Sequence, residues 1–302
     1  MIWAVNVRCA GATGAGEIMR RLLLGLLLAL LAGSLPAAAS PTVWKVQGKH
    51  STVYLFGSIH VLSPTVVWRD EKIEDLIHGA DTFMFETALD QQTIMQLVES
   101  QGSLPAGQSL RGMLPPDYQK DLDADLATIG IPEAGLDGRR PWLAALGMAA
   151  IKMTKGSGQP TGPDIQLSQE ALSRGKPIRY FETIEQQMAL LVPTDKKLEL
   201  EEFEAFLKDF QNESMDMQPM VDAWVKGDDD TLETLLMKNL GKHPGARKAM
   251  FDDRNARWIA TLRGILDNDS GTFFVTVGAG HLLGKNGVPA LLRDAGYTPQ
   301  KV

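Results

Sequence analysis

The sequence predicts an α/β fold, a mixed central sheet flanked by helices, with a long helical insertion before the last strand. Three observations carry that expectation. Val53-Tyr54-Leu55-Phe56-Gly57-Ser58-Ile59-His60 is a β-branched and aromatic run that breaks at a glycine and reaches a histidine three positions later, the pattern of a buried strand leaving a sheet. The pattern returns near the C-terminus as Thr272-Phe273-Phe274-Val275-Thr276-Val277-Gly278-Ala279-Gly280-His281. Between these runs, residues 184–264 keep helical spacing almost throughout, with acidic and apolar residues alternating as amphipathic helices require.

At 302 residues the chain is long enough to bury a sizeable core. Its 44% apolar and 22% charged content is that of an ordinary globular protein. The formal charge is −7, and the first 39 residues set Arg8, Arg20 and Arg21 against Glu17, so the remainder is more acidic still. An acidic chain without a basic stripe argues against nucleic acid as a partner and against docking on an anionic membrane surface.

The N-terminus reads as an address. Arg20-Arg21 precede the apolar run Leu22–Ala32, and Pro36-Ala37-Ala38-Ala39-Ser40 follows with a small-residue cleavage pattern. This is a secretory signal over residues 1–39, too short in its apolar core to span a bilayer stably. Met19 stands directly before the arginines, so residues 1–18 fit a misassigned start. Leu31-Ala32-Gly33-Ser34 has serine where lipid attachment needs cysteine, so no membrane anchor is expected after cleavage near Ala39. The expected location is periplasmic or secreted. Cys9, the one cysteine, lies upstream of that cut, which excludes disulfides and thiolate metal sites from the mature chain.

The remaining residues, 40–302, read as one domain. Val43–Val46 and Ser51–Phe56 flank Gly48-Lys49-His50 as a hairpin, with His50 in its turn. Glu71–Ile77 has helical spacing and ends at Gly79, which leaves His78 in the last turn as a structural residue. Asp81–Thr87 is a strand, Gln91–Gln101 a helix, and prolines open helices at Leu114–Ile129 and Trp142–Thr154. Lys155–Pro163 is the clearest loop. Asp164–Arg174 is helical, Gly175 caps it, and Lys176–Thr183 is a strand ending in the same Phe-Glu-Thr triplet as Phe85-Glu86-Thr87. The insertion, residues 184–264, is expected to form a helical subdomain or lid over the site. Within it Trp224-Val225-Lys226-Gly227-Asp228 reads as a helix end, a glycine cap and an aspartate N-cap. Met215, Met217 and Met220 suit either an adaptable groove or the core. A short helix over Gly287–Ala295 closes the chain.

Strand-then-histidine and strand-then-glutamate each occur twice, at His60, Glu86, Glu182 and His281. If those strand ends converge, two imidazoles and two carboxylates meet. Neutral imidazole and carboxylate form a ligand set for a divalent cation. Two histidines and one acid leave coordination positions open for water, and the second acid can then move a proton. The structural alternative stands beside this one: a histidine after a strand can be a hydrogen-bonded structural residue, and the triplets can mark capped strand exits. His243, in Gly241-Lys242-His243-Pro244-Gly245, has no evident partner. There is no His-Glu-x-x-His and no Gly-x-Ser-x-Gly. Gly278-Ala279-Gly280-His281-Leu282-Leu283-Gly284 comes too near the C-terminus to start a dinucleotide-binding unit.

Taken in order, several segments resemble the TraB/GumN family, which includes the Tiki-type metalloproteases within the erythromycin-esterase/ChaN-like superfamily. They are Leu55–His60, Phe83–Glu86, Gly162-Pro163-Asp164, Gly175–Thr183, Trp224 with Gly227-Asp228, Arg254-Asn255 and Val277–Gly284. The resemblance implies a mixed α/β fold and a site dependent on a divalent metal (manganese, cobalt or zinc). His60 and His281 match the motif histidines, and Glu86 and Glu182 match the strand-end acids. On that basis His60, His281 and Glu86 are the expected metal ligands, with Glu182, Arg254 and Asp164 as catalytic residues. In the Tiki branch the substrate is a peptide or protein. An ester hydrolase using histidine and glutamate, or a non-catalytic protein that sequesters a peptide, remain the alternatives.

Overall fold

The computed structural model describes residues 40–88, 90–154, 161–210, 217–240, 245 and 247–302. The expected signal segment, the loop at 155–160, Met215 and His243 lie outside them. Ser40–Val302 forms one compact unit.

Six strands make one sheet: β1 (Val43–Gln47), β2 (His50–Ser58), β3 (Thr82–Phe85), β4 (Ile178–Tyr180), β5 (Ser270–Gly278) and β6 (Gln300–Lys301), in the order β4-β3-β5-β2-β1-β6. β1 runs antiparallel to β2 and β6, and the pairs β2–β5, β5–β3 and β3–β4 are parallel. The mixed sheet expected from the sequence is therefore present. Register fixes which strand ends are neighbours: Ser58 lies opposite Gly278, and Phe85 lies opposite both Thr276 and Tyr180. Four parallel strands thus release their following residues at one edge, where open α/β sheets hold ligands.

The helices are α1 (Glu71–His78), α2 (Gln91–Gly102), α3 (Leu110–Met113), α4 (Pro116–Ile129), α5 (Pro141–Thr154), α6 (Pro163–Ser173), α7 (Ile184–Leu191), α8 (Lys196–Phe210), α9 (Gln218–Val225), α10 (Asp229–Leu240), α11 (Asp253–Asn268) and α12 (Val288–Asp294). Local signals set their ends. The Asp70 side chain accepts from the Ile73 amide at the start of α1, and Asp228 does the same for Thr231 in α10. Gly227 adopts φ +65°, the left-handed turn that joins α9 to α10. His78 bonds the Glu74 carbonyl and Arg174.

β4 is shorter than the strand expected over 176–183. Thr183 caps α7 by accepting from the Gln186 amide while the Gln186 side chain accepts from the Thr183 amide, and this capping box turns the chain out of the sheet just after the Glu182 amide has bonded the Glu86 carbonyl. Thr87, in the matching triplet, makes no such cap; Asp90 caps α2 instead.

Each sheet face has its own core. Phe56, Phe83 and Phe274 pack with Ile73, Ile77, Leu167, Val221, Trp224 and Leu232. Val53, Leu55, Met84, Val275 and Val277 pack with Trp258, Leu262, Ile265 and Leu292. A third cluster joins α4, α5 and α8 through Leu126, Met148, Phe203, Leu207 and Phe210. The helices over 184–264 are divided among these cores: α9 and α10 pack on the first, α11 on the second and α8 on the third.

Trp224 ties the first core to the site. Its indole N–H donates to the Gly57 carbonyl at 2.7 Å, and its ring meets Phe56 edge-on at 6.2 Å. Gly57 itself is held close, since a Cβ there would sit 2.9 Å from the Ala279 Cα. Trp224→Phe leaves that carbonyl without its donor and should destabilise the fold by about 1–3 kcal/mol, before any cavity cost. Urea unfolding checks this; a change within about 0.5 kcal/mol, the range of neutral surface changes, would show that the bond holds nothing in place.

Candidate functional site

His60 leaves the end of β2 with 63% of its side chain exposed, and its Nδ1 lies 3.0 Å from Asp164 Oδ2. Asp164 sits in the first turn of α6, behind Pro163. Gly162 makes the approach possible, because a Cβ there would lie 2.5 Å from the carbonyl oxygens of Ile59 and His60. Gly-Pro-Asp is thus a backbone contact, a helix start and a carboxylate aimed at His60. The hydrogen bond to Asp164 raises the His60 pKa, and burial opposes it less strongly.

His281 is 1% exposed, in a short turn (Ala279–Leu282) after β5. Its ring packs against Trp258 at 4.3 Å and Phe251 at 4.9 Å. The Asn255 amide nitrogen donates to the carbonyls of His281 (3.2 Å) and Asn286 (2.8 Å), which fixes the orientation of that amide. Asn255 Oδ1 therefore faces His281 Nδ1 at 2.6 Å and must accept its proton. Nε2 is left as the acceptor: it takes a hydrogen bond from Arg254 Nη1 at 2.9 Å and lies 3.6 Å from Glu86 Oε1. Burial, aided by the charges of Arg254 and His60, outweighs Glu86 and pushes the His281 pKa down to about 3.

Arg254 opens α11 and is buried between two carboxylates. Its Nη2 reaches Glu86 Oε2 at 2.5 Å and Glu182 Oε2 at 2.8 Å, its Nε meets both Glu182 oxygens at 3.1 Å, and its guanidinium carbon lies 4.8 Å over the Trp258 ring. Glu182 also accepts from Trp258 Nε1 at 3.0 Å and Arg257 Nη2 at 3.4 Å. Glu86 also accepts from the Gly278 amide at 2.7 Å and Gln187 Nε2 at 2.9 Å. Burial works against the charge on Glu86, yet His281, Arg254, the Gly278 amide and His60 hold its carboxyl below the usual range.

The strand ends do converge. A Cβ on Gly278 would stand 3.4 Å from Glu86 Oε1, 3.6 Å from His60 Nε2 and 3.8 Å from His281 Cδ2. Around this point opens a cavity of about 400 Å³, with His60, Glu86, Asp164 and Arg254 among its polar lining and Leu146, Ile165, Leu190 and Leu191 among its apolar lining. Glu182 does not line it; it stands behind Arg254. From the insertion, α7 and the turn before α11 border the cavity through Gln187, Leu190, Leu191 and Met250.

The donor chemistry suits a divalent cation. Both imidazoles engage Nδ1 with an oxygen, the usual arrangement behind a metal-bound Nε2, and two carboxylates against one guanidinium leave an excess of negative charge. The described spacing does not complete such a site: among the described residues no group of three or more histidine, aspartate, glutamate or cysteine side chains stands close enough to hold an ion. Arg254 fills the space between Glu86 and His281.

Sequence reasoning places His60, Glu86, Asp164, Glu182, Arg254 and His281 in this region but does not single out Gln187 or Trp258. Trp258 was within reach of it, since it lies four residues after Arg254 on the same face of α11. Gln187 carries no signal beyond its helix.

Removing Arg254 as Arg254→Met would strand two buried carboxylates and should cost about 3–5 kcal/mol, read by urea unfolding. Acid should also destabilise the chelated protein through His281. Its folded pKa lies below the unfolded value, so the unfolded state takes up a proton that the folded state refuses. Stability is then whole above pH ~6.5 and falls by about 1.4 kcal/mol per pH unit down toward pH 3. His281→Gln should flatten this slope between pH 6.5 and 5; an unchanged slope would place the effect elsewhere.

The chain is similar to the uncharacterized protein YbaP of Shigella flexneri, 26% identical over 251 residues, which cover 81% of this chain and 88% of that protein. It is also similar to YbaP of Escherichia coli (strain K12), 25% identical over 246 residues, covering 80% and 87%. No solved structure matches. The TraB/PrgY/gumN family model matches residues 42–301, from before β1 to the last residue of β6. With all six strands and every residue of the cluster inside that match, the chain belongs to the TraB/PrgY/gumN family.

Proposed function

We propose that this chain is an exported hydrolase that cleaves a peptide or protein substrate at the carboxyl edge of its sheet, with a divalent cation held by His60, His281 and Glu86. One observation carries the reading: both imidazoles are oriented by an oxygen at Nδ1, which leaves Nε2 as the ligating or basic nitrogen of each, that of His281 now accepting from Arg254 Nη1. A bound cation would supply Lewis-acid polarisation and a more acidic water.

The chain's own residues have distinct work. His60, with Asp164 behind it, is the site's exposed imidazole and takes a proton from water or returns one to the leaving group. Buried Arg254 offers fixed positive charge toward the oxygen on which negative charge builds. Glu182 holds Arg254 through its side facing away from the cavity, which makes it a positioning residue, whereas Glu86 faces the reacting space. Apolar side chains on the cavity wall limit the water around the reacting groups.

A second reading has its own support. Arg254 already brings a cation between Glu86 and His281, so a His60–Asp164 general base could work without metal and on esters as well. The protein purified after export should be tested on peptide and ester panels, before and after chelation. The metal reading expects activity lost to chelator and restored by Mn²⁺, Co²⁺ or Zn²⁺, and at least about 10²-fold lower in His60→Ala and His281→Ala. Chelator-resistant activity that depends on His60 and Asp164 selects the second reading. Peptide binding without cleavage under all conditions would leave a sequestering protein, and full activity in both histidine variants would refute every catalytic version.

A further inference from the structure

Ser58 and Thr276 lie diagonally on one face of β2 and β5, Ser58 opposite Gly278 and Thr276 opposite Phe56, with Phe274 further back on the same face. The face changes from aromatic to hydroxyl as it reaches the cavity. Ser58 is 3% exposed, Thr276 1% and Thr87 8%, yet none of the three hydroxyls has a hydrogen-bond partner among the described residues. Together with Asp164 Oδ1, they are four of the buried side-chain atoms without a partner among the described residues, and all four residues line the one cavity. Buried hydroxyls are ordinarily paired, and each left alone carries an uncompensated desolvation cost. Such a cluster at one cavity calls for a group that both donates and accepts.

Opposite this floor the wall is apolar. Leu146 and Leu191 are 47% and 37% exposed, and Ile165 and Leu190 join them. Among the described residues no lysine lines this cavity, and its arginine, Arg254, is committed to Glu86 and Glu182. A charged substrate side chain on that wall would lose hydration there, and the cavity's carboxylates, Glu86 and Asp164, are already engaged with Arg254 and His60.

The geometry points to a subsite for a peptide unit with a large apolar side chain. The main-chain N–H and C=O meet the hydroxyls of Ser58 and Thr276, and the side chain lies on Leu146, Ile165, Leu190 and Leu191. This names the substrate class of the proposed hydrolase, but the binding it describes does not depend on cleavage.

The test uses N-acetyl-leucine amide, N-acetyl-lysine amide and N-acetyl-glutamic acid amide, with binding followed by protein NMR. The leucine probe should bind at least about tenfold more tightly than the charged probes. Ser58→Ala/Thr276→Val should weaken the leucine probe by about tenfold, the value of two neutral hydrogen bonds, while its urea midpoint stays at or above wild type because no internal bond is lost. Thr276→Val alone should show part of the loss should the double variant fail to fold. Leu191→Glu, at an exposed position, should reduce leucine-probe binding and leave the fold intact. Undiminished affinity in the hydroxyl variants, or equal affinity for leucine and charged probes, would overturn the subsite. The expected preferences in a protein that cuts nothing would support the subsite and sink only the hydrolase reading.

Discussion

The ionic tie of Arg254 to Glu86 and Glu182 is the constraint on which the site rests. The two acids follow adjacent parallel strands, β3 and β4, and the Glu182 amide donates to the Glu86 carbonyl at 2.8 Å. Two carboxylates brought this close and buried would repel and protonate; one guanidinium between them allows both to remain charged. The tie also sets the rotation of α11. Apolar packing of Leu262, Ile265 and Leu266 fixes which face of the helix meets the sheet, and Arg254 fixes how far its first turn reaches over the strand ends. Asn255 and Trp258 then fall where they grip His281. The chain enters α11 through a π-helical turn, Lys248–Asp252, a local widening that often accompanies functional sites.

The hydrogen-bond network also gives the two histidines different characters. His281 is buried, held by Asn255 and kept neutral, so its Nε2 stays an acceptor at ordinary pH, toward Arg254 as the structure stands. His60 is open to solvent and strengthened as a base by Asp164. A pair of equivalent imidazoles would offer either two ligands or two bases. This pair offers one fixed acceptor and one group able to exchange protons with water.

The parallel strands and their polar ends were legible in the sequence because they obey short-range rules. Buried strands read as continuous apolar runs, and the residue that follows each run must lie at the sheet edge. Convergence of those ends was a matter of topology: β5 had to insert between β2 and β3, and no local signal states that order. The division of labour between Glu86 and Glu182 was equally hidden. Both follow a phenylalanine and precede a threonine, yet Thr183 begins a helix and Thr87 does not. Only the tertiary position of α11 decides that Glu182 is saturated from behind while Glu86 keeps an edge toward the cavity. Gln187 was invisible because its role comes from where α7 lands, not from what surrounds it in sequence.

Polar satisfaction is distributed unevenly, and the unevenness has a direction. Behind Arg254, Glu182 accepts from two arginines and an indole, and Asn255 uses its oxygen and both its amide hydrogens. Facing the cavity, Ser58, Thr87 and Thr276 find nothing to bond among the described residues. Folding alone would favour valine over threonine on a strand whose hydroxyl has no partner, because the methyl packs as well and carries no desolvation cost. The hydroxyls therefore make physical sense as surface prepared for another molecule: the groups behind the guanidinium stabilise the fold, and those before it are completed on binding.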